Sequence, residues 1–320
     1  MALRSDAAVV GRLAPSPTGL LHLGHARSFL LAWWHARSCG GRVVLRLEDL
    51  DGDRSKPALA DAALRDLEWL GIDWDGVPYV QSSGRERLQC VLSALLESGQ
   101  AYPCVCTRAD VRAAASAPHR DDREVRYPGT CRGRFASVAQ ARRQTGKPAA
   151  VRFTVAEGSV RVADGFAGEH EFDVQQVIGD FPIARRDGVP AYQLAAVVDD
   201  AAQGVTEVLR GDDLLPSAAR QMCLQRALGL PIPRWFHVPL VQDEAGRRLA
   251  KRADDASLAA LRAAGADPRA IVGWVAATAG MRVAARVAAR ECTAVFQLEA
   301  VPREPVRLDA GTLIGLFAAR

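Results

Sequence analysis

The sequence predicts an α/β protein built on an open parallel sheet. Three observations carry that expectation. An apolar run at residues 8–13 leads into a Pro/Gly loop, a helix-like run follows at 26–38, and a second apolar run at 42–48 holds Val43, Val44, Leu45 and Leu47. Strand, helix and strand in this order make a right-handed βαβ unit. In such sheets ligands bind outside the carboxyl ends of strands, and phosphates sit at helix N-termini.

The loop itself reads Pro15-Ser16-Pro17-Thr18-Gly19-Leu20-Leu21-His22-Leu23-Gly24-His25. His22 and His25 fall on one side of the first helical turn, and Gly24 lets a nucleotide lie against the backbone. GxGxxG and the lysine-rich phosphate loop are both missing, so a nucleotide would be held another way. The second strand ends in Arg46-Leu47-Glu48-Asp49-Leu50-Asp51, which brings three carboxylates to the carboxyl edge. Helices are expected at 58–70 and 86–97, where apolar residues recur at three- and four-residue intervals.

The character changes after Tyr102-Pro103. Residues 104–146 are poor in periodic apolar runs and rich in Arg, Pro and Gly. Residues 151–155 and 159–162 read as strands around Glu157-Gly158. The α/β pattern resumes at 192–200 and 205–209. Beyond Asp255 the chain is Ala/Leu-rich and helical, broken at 265–268 and at Gly280. The expected division is a first half of the sheet domain at 1–102, an insertion at 103–185, a second half at 186–255 and a helical region at 256–320.

A chain of 320 residues exceeds one typical core, which fits two or three domains. With 49% hydrophobic and 24% charged residues it has the balance of a soluble globular protein. The net charge of +4 permits nucleic-acid binding without demanding it. Met1-Ala2-Leu3-Arg4-Ser5-Asp6 opens no long apolar run, so no export signal is expected. No run of about 18 apolar residues exists to span a bilayer. Seven cysteines without an export signal argue against a disulfide framework. A cytoplasmic enzyme is the expectation.

The eleven-residue loop resembles the signature of class I aminoacyl-tRNA synthetases, with its His-Ile-Gly-His-like core. Its Pro-Ser-Pro-Thr-Gly-x-Leu-His-x-Gly form is similar to the glutamyl/glutaminyl branch. The resemblance implies a Rossmann-like class I synthetase catalytic domain that joins a carboxylate to the α-phosphate of ATP, with Mg²⁺, and expels pyrophosphate. Charge then develops on phosphate oxygens, so donors and cations aimed there are the main catalytic device. His22, Gly24 and His25 would act from this loop. Residues 247–252, Arg-Arg-Leu-Ala-Lys-Arg, follow a turn at 242–246 and a strand-like run at 238–241. Taken alone they are a solvated basic loop. In this place they resemble the family's second signature, usually Lys-Met-Ser-Lys-Ser or Lys-Leu-Ser-Lys-Arg. Arg248 stands for the first lysine and Ala250 for the serine, while Lys251, the principal catalytic lysine, is retained.

A glutamate ligand calls for a guanidinium group to meet carboxylate and an acid to meet ammonium. By the resemblance, Arg12 with Leu13, Ala14, Pro15 and Ser16 matches the start of the glutamyl-type loop. Glu48 matches the ammonium-binding acid, and Tyr192 and Arg210 match the family's Tyr and Arg.

Cys104, Cys106 and Cys131 suit a structural zinc site in an insertion without its own large core. Buried free thiols are the other reading. General chemistry favours His119 as a fourth ligand. The run Tyr127-Pro128-Gly129-Thr130-Cys131 resembles a Tyr-x-Gly-x-Cys pattern in which the tyrosine completes the site. Cys39, Cys90, Cys223 and Cys292 lie in helix-like apolar surroundings and read as core.

About seventy residues follow Lys251, too few for an anticodon-binding region of the usual size. Residues 192–196 read Tyr-Gln-Leu-Ala-Ala, where glutamyl-tRNA synthetases typically have Tyr-His-x-Ala-Asn. The chain therefore resembles their truncated bacterial paralogue. That implies a monomer without membrane partners that activates L-glutamate without tRNA and transfers it to the queuosine base of tRNA(Asp). A short glutamyl-tRNA synthetase charging the 3′ end is the alternative enzyme. A silent tRNA-binding paralogue is the other alternative, kept open by Arg248 and Ala250. Arginines 112, 120, 123, 126, 132 and 134 would either contact phosphates or form a solvated face.

Overall fold

The structure, a computed structural model, describes residues 8–114, 125–247, 249 and 257–318. The chain opens with β1 (Val10–Leu13), α1 (Leu23–Ser38) and β2 (Arg42–Leu47). β1 and β2 pair in parallel with Arg12 opposite Val44, which is the expected βαβ unit. Leu23, Leu30 and Trp34 bury one side of α1, and Trp34 Nε1–H donates to Ala289 O at 2.8 Å. Strand and helix touch closely: a Cβ on Gly11 would lie 2.9 Å from that of Ala36. Next come α2 (Pro57–Trp69), β3 (Tyr79–Val80) and α3 (Arg85–Glu97), with β3 parallel to β2.

The middle of the chain contributes β4 (Ala101–Cys104), α4 (Arg108–Ala114), α5 (Val138–Thr145), β5 (Ala150–Phe153), β6 (Val160–Asp164), β7 (Gly168–Phe172), α6 (Val174–Val177) and β8 (Pro182–Ala184). The strands expected around Glu157-Gly158 both form, but they do not pair with each other. β5 joins β4 and β8 in a small antiparallel sheet. β6 pairs with β7 and, through Asp164 opposite Trp235, with a later strand. Val160 and Val162 are buried in the main core, and that packing draws β6 to the central sheet.

The α/β pattern resumes with α7 (Tyr192–Ala202), β9 (Glu207–Gly211), α8 (Leu215–Leu228), β10 (Arg234–Val238) and β11 (Val241–Gln242). The chain then runs through α9 (Leu258–Ala263), α10 (Pro268–Thr278), α11 (Ala289–Thr293), β12 (Val306–Arg307) and α12 (Ala310–Ala318). The central strands run β3-β2-β1 and β9-β10-β6-β7. The two halves meet where Thr206 N–H donates to Val10 O at 3.0 Å and Val10 N–H donates to Thr206 Oγ1 at 2.9 Å. Strand order reverses at this seam, the place where an open α/β sheet has its crevice. α1, α10 and α11 cover one face, and α3, α7 and α8 the other.

All seven cysteines are free, but the expectation that four of them are core holds for Cys292 alone. Cys39 follows the end of α1, and Cys90 lies between the buried Leu88 and Leu92 of α3, so both are exposed; Cys223 is half-buried. No helix among the described residues is long and apolar enough to cross a membrane.

Candidate active site

A cavity of about 360 Å³ opens at the carboxyl ends of β1 and β9. One wall is the loop entering α1, whose cap is built from two imidazoles. Gly24 N–H donates to His22 Nδ1 at 3.1 Å, and His22 N–H donates to His25 Nδ1 at 3.2 Å. This is a reciprocal capping box with histidines in place of Ser and Glu. Each Nδ1 accepts, so each ring carries its proton on Nε2. The rings stack 3.8 Å apart. Their N–H donors line the cavity at a helix N-terminus that already favours an anion.

The opposite wall carries charge. Arg12 and Arg210 are 8% and 5% exposed, and Arg46 behind them is wholly buried. Asp200 meets two of the three: Arg46 Nη1–H donates to it at 2.6 Å, and Arg12 Nε lies 3.4 Å away. Arg46 also reaches Glu48 at 3.2 Å, while Ser16 Oγ–H donates to the other Glu48 oxygen at 3.2 Å. Glu48 is thus fixed with its carboxylate on the cavity wall.

Arg210 is held differently. Its Nε–H donates to His237 Nε2 at 2.9 Å, Nη1 to Gln221 Oε1 at 3.0 Å and Nη2 to Leu214 O at 3.1 Å. The guanidinium group also lies over the Trp235 ring, 4.7 Å from its centroid. Three of its five donors make these bonds, and the other two are turned to neither His237, Gln221 nor Leu214, with Tyr192 close enough to interact. Burial pulls its pKa below the ordinary guanidinium range, with Arg12 adding to that and Tyr192 and Asp200 opposing it. Two buried cations and an oriented carboxylate suit a ligand with carboxylate and ammonium groups.

The cavity therefore unites Arg12, Ala14, Pro15, Ser16, His22, Gly24, His25, Glu48, Tyr192 and Arg210 from the sequence reading. Tyr192 stands at the rim and is 40% exposed. Leu13 is the exception, since its side chain is fully buried in the core and leaves the wall to its neighbours. Of the other acids at the end of β2, Asp49 accepts from Ser82 N–H at 2.7 Å and Asp51 pairs with Arg185 at 2.9 Å. Arg248, Ala250, Lys251 and His119 lie outside the described residues. Leu249 within the basic loop and Ser257 beyond it do reach the site. Leu249 N–H donates to Val241 O at 3.4 Å, and Ser257 bridges to His22. Asp200, Gln221, His237 and Asp164 are the participants that sequence reasoning missed. Of these, only Asp200 left a signal, as one of two acids inside the apolar run of α7.

In the insertion the Sγ atoms of Cys104, Cys106 and Cys131 lie within 4.8 Å of one another and can hold a metal ion. Cys106 and Cys131 are 3.5 Å apart, close to the S–S edge of about 3.8 Å that a tetrahedral zinc with Zn–S near 2.3 Å requires. Tyr127 Oη sits 3.3 Å from Cys104 Sγ and 3.7 Å from Cys106 Sγ. Burial pushes the Cys106 thiol up to about 11. For Cys131 burial acts the same way, but hydrogen bonds from Val105 N–H, Tyr127 and the other thiols outweigh it and lower its pKa. Arg152 lies over the Tyr127 ring, 3.8 Å from its centroid, and its Nε–H donates to Cys104 Sγ at 3.3 Å, so a cation faces the cluster. Nearby, Arg132 is committed to Asp180 and Arg126 to Gln175.

Residues 8–308 match the family of class I (E and Q) tRNA synthetases, catalytic domain. The chain is 47% identical to the glutamyl-Q tRNA(Asp) synthetase of Symbiobacterium thermophilum, over 96% of this chain and 98% of that one. It is 43% identical to the protein of the same name from Nitratidesulfovibrio vulgaris, over 95% and 96%. Among solved structures, a glutamate tRNA ligase from Elizabethkingia meningosepticum in complex with its amino acid superposes with a TM-score of 0.80 at 26% identity. That match covers 97% of this chain and 69% of the ligase.

Asp200 is the counter-charge for both Arg12 and Arg46. Asp200→Asn leaves Arg46 with Glu48 as its one charged partner beside the neutral Gln203 and should lower folding stability by about 3 kcal/mol. Urea denaturation with an unchanged m-value measures this, and a loss below 1 kcal/mol would show that the wall does not depend on the pairing.

Proposed function

The chain belongs to the class I (E and Q) tRNA synthetase family, and on that footing we propose that it activates L-glutamate with ATP and Mg²⁺ and transfers the glutamyl group to the queuosine base of tRNA(Asp). What carries the reading is one cavity in which two buried guanidinium groups, an oriented carboxylate and two imidazole N–H donors meet at a helix N-terminus. The near end-to-end similarity to glutamyl-Q tRNA(Asp) synthetases supports the choice of acceptor.

In this reading Arg12 and Arg210 hold glutamate carboxylate oxygens, and the two remaining donors of Arg210 suit a bidentate contact. Glu48 holds the ammonium group, Tyr192 closes the rim, and residues 13–16 shape the floor. Activation joins the α-carboxylate to the α-phosphate and releases pyrophosphate. His22 and His25 donate from Nε2 to phosphate oxygens, beside the amide of Gly24. Lys251 supplies the ammonium group that meets the charge growing on the α-phosphate. The contacts of Leu249 with Val241 and of Ser257 with His22 support that placement. Cys104, Cys106, Cys131 and Tyr127 hold one zinc ion, which with four protein ligands is structural and keeps no position for substrate.

The deciding experiment charges tRNA(Asp) with labelled glutamate and maps the label. It should appear in the anticodon fragment, and tRNA(Asp) lacking queuosine should accept none. Label on the 3′-terminal adenosine would identify a short glutamyl-tRNA synthetase instead.

Lys251→Ala should lower turnover in pyrophosphate exchange by roughly 10²–10³ with little change in the KM for glutamate, because its interaction strengthens in the transition state. Exchange within a few-fold of the wild type would remove Lys251 from the mechanism. Metal analysis should find one zinc per chain, and Tyr127→Phe should weaken its retention against a chelator. Protein purified without chelators and free of zinc would overturn the ligand set.

A further inference from the structure

Behind Arg210 lies a row of side chains that the functional reading leaves unused. Arg210 on β9 and His237 on β10 stand opposite one another in the parallel pair. Arg210 Nε–H donates to His237 Nε2 at 2.9 Å, and His237 Nδ1 lies 2.5 Å from Asp164 Oδ2. The side chains of His237 and Asp164 are both closed to solvent. Asp164 ends β6, and its other oxygen accepts backbone N–H groups from Phe166 at 2.9 Å, Ala167 at 2.7 Å and His237 at 3.1 Å. A Cβ on Gly165 would come within 2.3 Å of the Phe236 ring, so the turn after Asp164 is pressed onto β10.

The protons in this row have one consistent arrangement. Arginine has no acceptor, so His237 Nε2 must present a lone pair to it. A carboxylate has no donor, so Nδ1 must carry the proton and give it to Asp164. The two ends demand the same tautomer. Charges facing the ring agree: burial lowers the His237 pKa, and Arg210 and Arg12 act in the same direction against Asp164, so the ring stays uncharged. Asp164 itself is held low despite burial by its hydrogen bonds from His237 and the turn.

We infer that Asp164 and His237 are positioning residues for a substrate carboxylate. They fix the rotation of the Arg210 guanidinium group at Nε, so that its two remaining donors face the cavity as a fork. Gln221 and Leu214 hold the terminal nitrogens, and His237 adds the contact at Nε that completes the setting of the plane. The inference rests on reading Arg210 as a carboxylate partner of glutamate.

Pyrophosphate exchange with the full chain separates the substrates. His237→Phe fills the space without an acceptor and should raise the KM for glutamate roughly 10- to 100-fold, with the KM for ATP within about two-fold. His237→Gln, whose amide oxygen can take the Nε–H, should recover most of that loss. Ring-nitrogen NMR of the wild type should show His237 as the Nδ1–H tautomer. Asp164→Asn, able to donate as well as accept, should move part of the population to Nε2–H. Equal rises in both KM values, a Gln variant no better than Phe, or an Nε2–H tautomer in the wild type would overturn the inference. A wild-type protein with no glutamate-dependent exchange would overturn the functional reading instead, and the NMR tautomer would still decide the bond between His237 and Arg210.

Discussion

Arg210 is a guanidinium group buried among neutral partners, and much of the site follows from that. Arg46 and Arg12 face Asp200. Arg210 has a histidine, an amide, a carbonyl and an aromatic face, and among the described residues no carboxylate lies within ion-pair distance of it. A buried charge without a counter-charge is costly. The surrounding packing and hydrogen bonds must hold it in place, and β10, α8 and the turn before α8 supply them. An anionic ligand then completes a pairing that the fold leaves open. In the proposed reading, that open pairing is what favours an anionic group.

The same economy of protons governs the other wall. The cap of α1 uses Nδ1 of both histidines to satisfy backbone N–H groups that a helix start would otherwise leave open. That local duty leaves the proton of each ring on Nε2. A structural requirement of the helix therefore sets the tautomer of the two donors. At the opposite wall Asp164 plays the corresponding part for His237 through its acceptor-only carboxylate.

Much of this was legible in the sequence, and the remainder has identifiable reasons for being hidden. β1, α1, β2, α2 and α3 follow from period and punctuation, which are local. The partner of β6 does not, because Asp164 opposite Trp235 is a long-range register decided by packing. Arg12, Glu48 and Arg210 could be found because each sits in an ordered string of residues. Leu13 was grouped with them, yet successive strand residues point to opposite faces, so Arg12 in the cavity puts Leu13 in the core. Cys90 shows the helical counterpart: an apolar neighbourhood in sequence does not place a residue on the buried stripe. His237 and Asp164 carry no motif, being 73 residues apart and each alone in its own strand.

In the proposed reading, charge is what would separate glutamate from its amide in this cavity. Glutamine matches glutamate in length and shape, so packing alone separates them poorly. Its amide brings an NH₂ group, and the remaining donors of Arg210 would meet another donor on one side and only a neutral oxygen on the other. The buried guanidinium group would remain uncompensated in that complex, with the desolvation cost of the cation unrelieved. Discrimination of this kind needs the two donors held as a fork, since a freely turning guanidinium group could present one nitrogen to the amide oxygen and turn the rest away. In the proposed reading, specificity for the carboxylate thus depends on what fixes Arg210 from behind as much as on Arg210 itself.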